Sequence, residues 1–369
     1  MQKGEGAFVE WLLQNKDTPL LLFCTARDEF GEVTATEIAW QSGQRPLGYR
    51  SLGPFLEKRK APKHRRHIDR LLAAYGCQDL EGFLRISHAL SLNDTLWVKP
   101  ADAGLCWAGV SLYRNEFDEL LAEAALNGGL AGSTLSAATP EFGTDGQYAK
   151  CWKRRPDGIF LYKGGSAAYE LEPLSEYLAS QLAQKLCVSA VPYDMAFYRG
   201  RLVSTCKLFT SEETGLAKAR DVLDGEPHIT ALLRYFASIQ SEEAFRRMYI
   251  LDALTLNIDR HLGNFGVLFC NDTMQVQGMA PVYDNNRSLL FDLDEDQLAA
   301  LEKHIRRYTP RLGADFIQTG RALLTDAIRS DLEALRHFAF CPHPQIAVEG
   351  RRLELLSQIV QTQVQKLLA

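Results

Sequence analysis

From Phe209 onward the apolar residues recur at intervals of three and four almost to the end of the chain, whereas the stretch before it carries short alternating runs of β-formers. A chain that changes its hydrophobic period in this way commits itself to a β-rich part followed by a helical part. The helical periods predict helices over 228–239, 241–256, 295–308, 326–338 and 349–368, with short strand-like pieces interrupting them at 265–291. The alternating runs predict strands over 148–153, 158–164, 192–198 and 200–206, with a helix over 172–187 between the two pairs. The expected class is α+β.

Ahead of this lies a region of different character. Residues 19–25 and 32–40 alternate around Asp28-Glu-Phe-Gly31, which reads as a β-hairpin. Ala61-Pro62 reads as a helix opening, with Ile68, Leu71, Leu72 and Tyr75 at helical spacing until Gly76. A further helix is expected over 116–127, ended by Gly128-Gly129. The resulting division is an accessory module at 1–130, a β-rich lobe at 131–209 and a helical lobe at 210–369. Trp97 and Trp107 are expected in the core of the accessory module, with Trp11 and Trp40.

Composition excludes several functions. A formal net charge of −5 over 369 residues gives no basic footprint for nucleic acid, and no helix-turn-helix with a basic recognition face is evident. The basic run Lys58 to Arg66 reads as a solvated helix face. Eight cysteines lie far apart without metal spacing, as expected of reduced thiols, and Cys341 and His343 read as loop residues. The apolar run Pro19 to Cys24 is too short to cross a bilayer and lacks signal-peptide flanks, so a cytoplasmic protein without a membrane partner is expected.

The segment that carries chemistry is Asn257-Ile-Asp-Arg-His-Leu-Gly-Asn264, followed by Pro281-Val-Tyr-Asp284. Phosphoryl transfer needs a carboxylate to orient the attacking hydroxyl and oxygen ligands to hold magnesium against the phosphates. The interval from Asp259 to Asn264 is that between the catalytic Asp and the metal-binding Asn of protein kinases, and Asp284 takes the place of the metal-binding Asp of their Asp-Phe-Gly. The bland alternative is a turn in which Asp259 caps a helix and Arg260 pairs with it locally. His261 reads as a hydrogen-bonded loop residue and, by its place between Asp259 and Asn264, borders the nucleotide set.

Asn-x-Asp-Arg-His-x-x-Asn with a later Tyr-Asp resembles the HipA family of serine/threonine kinases, and Ser91-Leu-Asn-Asp-Thr-Leu-Trp-Val-Lys-Pro100 resembles a segment of its longer members. The resemblance implies a bilobal protein-kinase-like fold and ATP- and magnesium-dependent phosphorylation of a protein hydroxyl. It also implies a toxin role beside a separate DNA-binding antitoxin, with an aminoacyl-tRNA synthetase or other translation factor among the candidate substrates.

In that frame Lys163, at the end of Phe160-Leu-Tyr-Lys-Gly-Gly165, would meet the α- and β-phosphates. Glu176 would hold it, in preference to Glu172 just ahead of Pro173. Asp259 would be catalytic with Lys163 and Asn264, while Asn264 and Asp284 would bind the metal. The stretch Thr139 to Lys150 is a loose match to the family's phosphate loop through Gly146, Gln147 and Lys150, with Ser136, Thr139 and Thr144 as candidates for self-phosphorylation. Lys207 to Phe209, between the lobes, would read the adenine. Two other readings are carried beside this one: a small-molecule kinase, and a pseudokinase or partner-binding module.

Overall fold

The computed structural model describes residues 8–62, 67–128, 139–145, 147–166, 171–225 and 227–369. Gly146, Ser136 and the part of the basic run from Lys63 to Arg66 lie outside the described residues. By contact, the chain forms two compact units. One comprises 1–162, 208–217 and 269–276, and the other 163–207, 218–268 and 277–369.

The first unit opens with an antiparallel sheet of strands β1 (Val9–Asn15), β2 (Thr18–Arg27), β3 (Val33–Trp40) and β4 (Leu96–Pro100), in the order β3-β2-β1-β4. The hairpin expected at 19–40 is there as β2 and β3, joined at the Asp28 turn, where Asp28 Oδ1 accepts the backbone N–H groups of Phe30 and Glu32. Its other neighbour, β1, pairs with β2 on one side and β4 on the other. The expected helix opening at Ala61-Pro62 is not one: the Ala61 amide donates 2.7 Å to Phe142 O and the described helix begins at Ile68. The helix Glu119–Asn127 matches expectation, with Asp118 as its N-cap accepting from the Leu121 amide.

An aromatic core of Trp97, Trp107, Phe117, Leu112 and Ile159 fills this unit. Each buried aliphatic or Phe side chain in such a core contributes ~1.5–3 kcal/mol relative to exposure. Trp11 is buried as expected, whereas Trp40 is only half-buried and carries the Arg45 guanidinium 3.4 Å above its ring. The buried Arg59 fork donates to Asp94, Ala89 O and Leu96 O, tying the chain before and after the short helix Leu80–Ser87. Strands β5 (Lys150–Arg155) and β6 (Gly158–Gly164) are adjacent across a two-residue turn.

The second unit is built round the helix Glu242–Thr255, buried almost continuously from Met248 to Thr255. The helices Ile229–Ser238, Phe316–Leu323 and Gly350–Leu368 pack on it. The last presents Leu353, Leu356, Val360, Val364 and Leu367 at helical spacing to the core. Gly320 permits close approach: a Cβ there would lie 2.7 Å from Leu367 Cδ2. The helix expected over 295–308 is broken instead into Glu295–Ala299 and two short 3-10 turns. Its pattern is helical, but Tyr308 turns back so that its hydroxyl meets Asp292, with Arg307 alongside at 3.1 Å. The helix Glu172–Leu186 lies against the hairpin of β7 (Tyr193–Tyr198) and β8 (Arg201–Lys207). Cys341 and His343 lie in a loop, the His343 ring meeting Asp194 at 2.9 Å.

Candidate active site

The helix Glu242–Thr255 ends when Leu256 turns left-handed, at φ 53°. A non-glycine residue in that conformation costs ~1–2 kcal/mol, so bonds from neighbouring residues must hold the turn. Asn257 holds it from one side: its Nδ2 donates to Asp252 Oδ1 at 2.9 Å and its Oδ1 accepts the Asp259 amide at 3.0 Å. Arg260 holds it from the other. Its buried guanidinium bonds both Asp252 oxygens, the carbonyl oxygens of Asn264 and Tyr283 (each 2.7 Å) and Asn285 Oδ1 (2.5 Å). One side chain thereby ties the helix end, the 259–264 loop and the 283–285 segment together. Burial opposes charge on Arg260, but Asp252 outweighs it and holds the guanidinium above its ordinary value. The local Asp259–Arg260 pairing considered from sequence is replaced by this longer reach to Asp252, one helical turn and more upstream.

The loop itself is closed by short bonds. His261 N–H donates to Asp259 O at 2.8 Å, Asn264 N–H to His261 O at 2.9 Å, and Asn264 Nδ2 to Asp259 O at 2.9 Å. His261 Nδ1 accepts the Gly263 amide at 3.0 Å, so any ring proton resides on Nε2; burial lowers its basicity. With its amide nitrogen engaged, Asn264 keeps its side-chain oxygen for another partner. Asp259 faces Arg287 and Arg311, whose nearest nitrogens are each 3.6 Å from Oδ1.

A second knot centres on Lys163. Its ammonium touches Asp284 Oδ1 and lies 3.3 Å from Glu176 Oε2. Glu176 is fully buried, and its oxygens accept Ser204 Oγ–H and the Asn285 amide, both at 3.1 Å. Burial opposes the charge on Lys163, but Asp284 and then Glu176 keep the ammonium above its ordinary pKa. Burial also raises Glu176, with Lys163 pulling the other way. The carboxylates of Asp284 and Glu176 both face the Lys163 ammonium here. Asp284 is itself left-handed, at φ 57°, and its amide donates to Tyr193 Oη at 3.2 Å. That reach is set by Val282, whose backbone bonds Ser189 and Val191 at 2.9 Å each. Gly164 leaves room for Arg201, whose Nη2 donates to Gly165 O at 2.7 Å; a Cβ on Gly164 would stand 2.7 Å from the guanidinium carbon.

The two knots share residues 284–285, so Lys163, Glu176, Asp284, Arg260, Asn264 and Asp259 form one connected network. Of the remaining expected residues, Gln147 is exposed, and Lys150 is buried with Nζ donating to Asp145 O at 2.7 Å. Thr139 is buried, and Thr144 Oγ1 bonds Pro140 O and the Trp152 ring N–H. Lys207 is exposed at the end of β8, and Phe209 is half-buried two residues on. Glu172, the alternative to Glu176, is buried away from Lys163's bonds, with no hydrogen-bond partner among the described residues. Sequence reasoning missed Asp252, Tyr193, Ser204 and Asn285. Asn285 comes directly after Asp284, and the polar Asp252 inside a buried helical stripe was the signal for the other end.

The donor set fits magnesium. One carboxylate and one amide oxygen, with phosphate oxygens to complete the shell, is the way this ion is commonly held. No group of three or more His, Cys, Asp or Glu at metal geometry occurs among the described residues.

No family model matches the chain, and no curated protein matches it. Its structure is similar to those of two solved proteins. One is the proinflammatory kinase CtkA of Helicobacter pylori, at 16% identity over 59% of this chain and 91% of that one, TM-score 0.45. The other is HipA of the Shewanella oneidensis MR-1 toxin–antitoxin system, solved with HipB and its operator DNA, at 9% identity over 97% and 96%, TM-score 0.46. What the site can do is carried by its own side chains. No described helix is long and apolar enough to cross a membrane.

Proposed function

We propose that the chain is an ATP- and magnesium-dependent serine/threonine protein kinase of HipA type. The observation that supports it is the single hydrogen-bonded network joining Lys163, Glu176 and Asp284 to the loop of Asp259 and Asn264. Residues far apart in sequence that separately serve a helix cap or a strand end have no need to meet; a phosphoryl-transfer site needs them together.

In this reading Asp259 orients the acceptor hydroxyl and takes its proton as the oxygen attacks the γ-phosphorus. The bond to the β-phosphate oxygen breaks and ADP leaves. Lys163, aimed by Glu176, neutralises the α- and β-phosphates, a preorganised charge that needs no rearrangement during the reaction. Asn264 and Asp284 would hold magnesium, which when bound neutralises the β- and γ-phosphate oxygens. Arg260 keeps both ligands in register through the carbonyl of Asn264 and the side chain of Asn285. The nucleotide-binding lobe would be 131–209, with Gly146, Gln147 and Lys150 at the phosphates and Lys207 and Phe209 at the adenine, and the catalytic lobe 210–369. A separate DNA-binding antitoxin, a translation factor as substrate, self-phosphorylation and a cytoplasmic location complete the proposal.

The test traces where the label goes. Purified protein, γ-labelled ATP and magnesium are added to a cell lysate, which is then split into protein and small-molecule fractions. Label on serine or threonine of protein supports the reading; label only in a metabolite replaces it with a small-molecule kinase.

A further inference from the structure

The proposed catalytic carboxylate stands between two cations that the transfer step does not use. Arg287 Nη1 and Arg311 Nη2 are each 3.6 Å from Asp259 Oδ1. A charge-assisted hydrogen bond is shorter, about 2.7–2.9 Å, so neither guanidinium is fully engaged by Asp259. Two positive charges facing one carboxylate leave an excess of one. Arg287 is also under-satisfied at its Nε, which has no hydrogen-bond partner among the described residues. The Arg311 side chain is 58% exposed and so presents its fork to solvent.

The surroundings extend this charge. Arg311 ends the segment Lys303-His-Ile-Arg-Arg-Tyr-Thr-Pro-Arg311, which contains no acidic residue and in which Lys303, Arg306 and Arg307 are exposed. Arg307 is tied to Asp292 at 3.1 Å, but the run as a whole remains basic on a chain of net charge −5. A cluster of planar, always charged forks beside the point of transfer suits bidentate capture of carboxylates.

We infer that Arg287 and Arg311 form an anion-binding subsite that selects protein acceptors whose serine or threonine is flanked by acidic side chains. This rests on the kinase reading. The acceptor's neighbouring carboxylate takes the arginine forks, which frees Asp259 to receive the hydroxyl. Both arginines are then specificity-determining, and Arg311, the more exposed, sets the preference outside the immediate acceptor.

The experiment is a positional-scanning library of serine and threonine peptides, phosphorylated by the full chain with labelled ATP and magnesium. Wild type should favour Asp or Glu over Lys beside the acceptor by about tenfold or more in kcat/KM, the equivalent of ~1.4 kcal/mol per well-made contact. Arg311→Gln and Arg287→Gln should each lower that ratio, and the double variant should bring it near one. Arg311→Glu should invert it, favouring Lys-flanked acceptors, a gain that misfolding cannot produce. A wild-type enzyme indifferent to acidic neighbours, or variants that lose all peptides in the same proportion, overturns the inference and leaves the kinase reading standing. So does a change confined to the KM for ATP, which would assign the arginines to the nucleotide. Asp259-dependent labelling of lysate protein with no peptide labelled also overturns it, whereas labelling of nothing at all sinks the kinase reading with it.

Discussion

Replacing Arg260 by lysine keeps a positive charge in the same place but takes away the fork. The guanidinium serves acceptors on four residues, Asp252, Asn264, Tyr283 and Asn285. An ammonium has three donors on one atom and cannot span them, so at least one buried acceptor is orphaned, at a cost of ~1–3 kcal/mol. Alanine is worse, because the buried Asp252 carboxylate loses its only charged partner among the described residues, a loss of ~3–5 kcal/mol. Against a total stability of ~5–15 kcal/mol for a typical domain, that is a large fraction. Urea denaturation of wild type, Arg260→Lys, Arg260→Ala and the double variant with Asp252→Asn measures it. The expected order is wild type, lysine, alanine, with strong coupling between positions 252 and 260. An alanine variant within ~0.5 kcal/mol of wild type, the range of ordinary surface changes, would refute the claim that Arg260 organises the site.

Lys163→Ala should lower kcat/KM by about 10²–10³, as removal of one preorganised donor does elsewhere, and Glu176→Gln should cost less because Asp284 still holds the ammonium; steady-state kinetics with varied ATP decide it. Asp284→Asn should raise the magnesium concentration needed for half-maximal rate, and an unchanged magnesium titration would remove Asp284 from the metal set. In the first unit, burial lowers the His88 pKa below its ordinary 6.5 while its ring meets Val98 O at 3.1 Å. A base depressed on folding gives stability that is full above pH 6.5 and is lost as pH falls below it, because the unfolded chain takes up the proton first. Thermal melting between neutral and mildly acidic pH should therefore fall more steeply for wild type than for His88→Asn, whose left-handed backbone at φ 51° asparagine tolerates.

What could be read from sequence was whatever local spacing encodes. Asp259 and Asn264 are five residues apart in one loop, and a buried Lys163 at a strand end with Glu176 in the next helix is a pattern of neighbouring elements. The helices 229–238, 242–255 and 350–368 were legible because their buried faces are continuous. Illegible were contacts made across long separations. Tyr193 reaches Asp284 only because Val282 bridges to 189–191, and Ser204 meets Glu176 only because β8 lies against that helix. Asp252 stands out in the sequence as an acid within an apolar helical stripe, but no spacing names Arg260 as its partner, and the bland alternative paired Arg260 with Asp259 instead. The broken helix at 295–308 failed for a similar reason: its apolar pattern is helical, but the Tyr308 and Arg307 contacts to Asp292 outweigh helix propensity.

Whether Asp259 serves transfer rather than nucleotide binding is read from intact-protein mass after incubation with ATP and magnesium. Wild type and Asp259→Asn are compared alone and with a cell lysate, and ATP binding is measured on both by calorimetry. Added phosphate is expected on wild type or on a lysate protein, none with Asp259→Asn, and the two ATP affinities should be nearly equal. Full phosphate incorporation by Asp259→Asn, or failure of wild type to transfer phosphate to anything while ATP binds, would contradict a role for Asp259 in transfer.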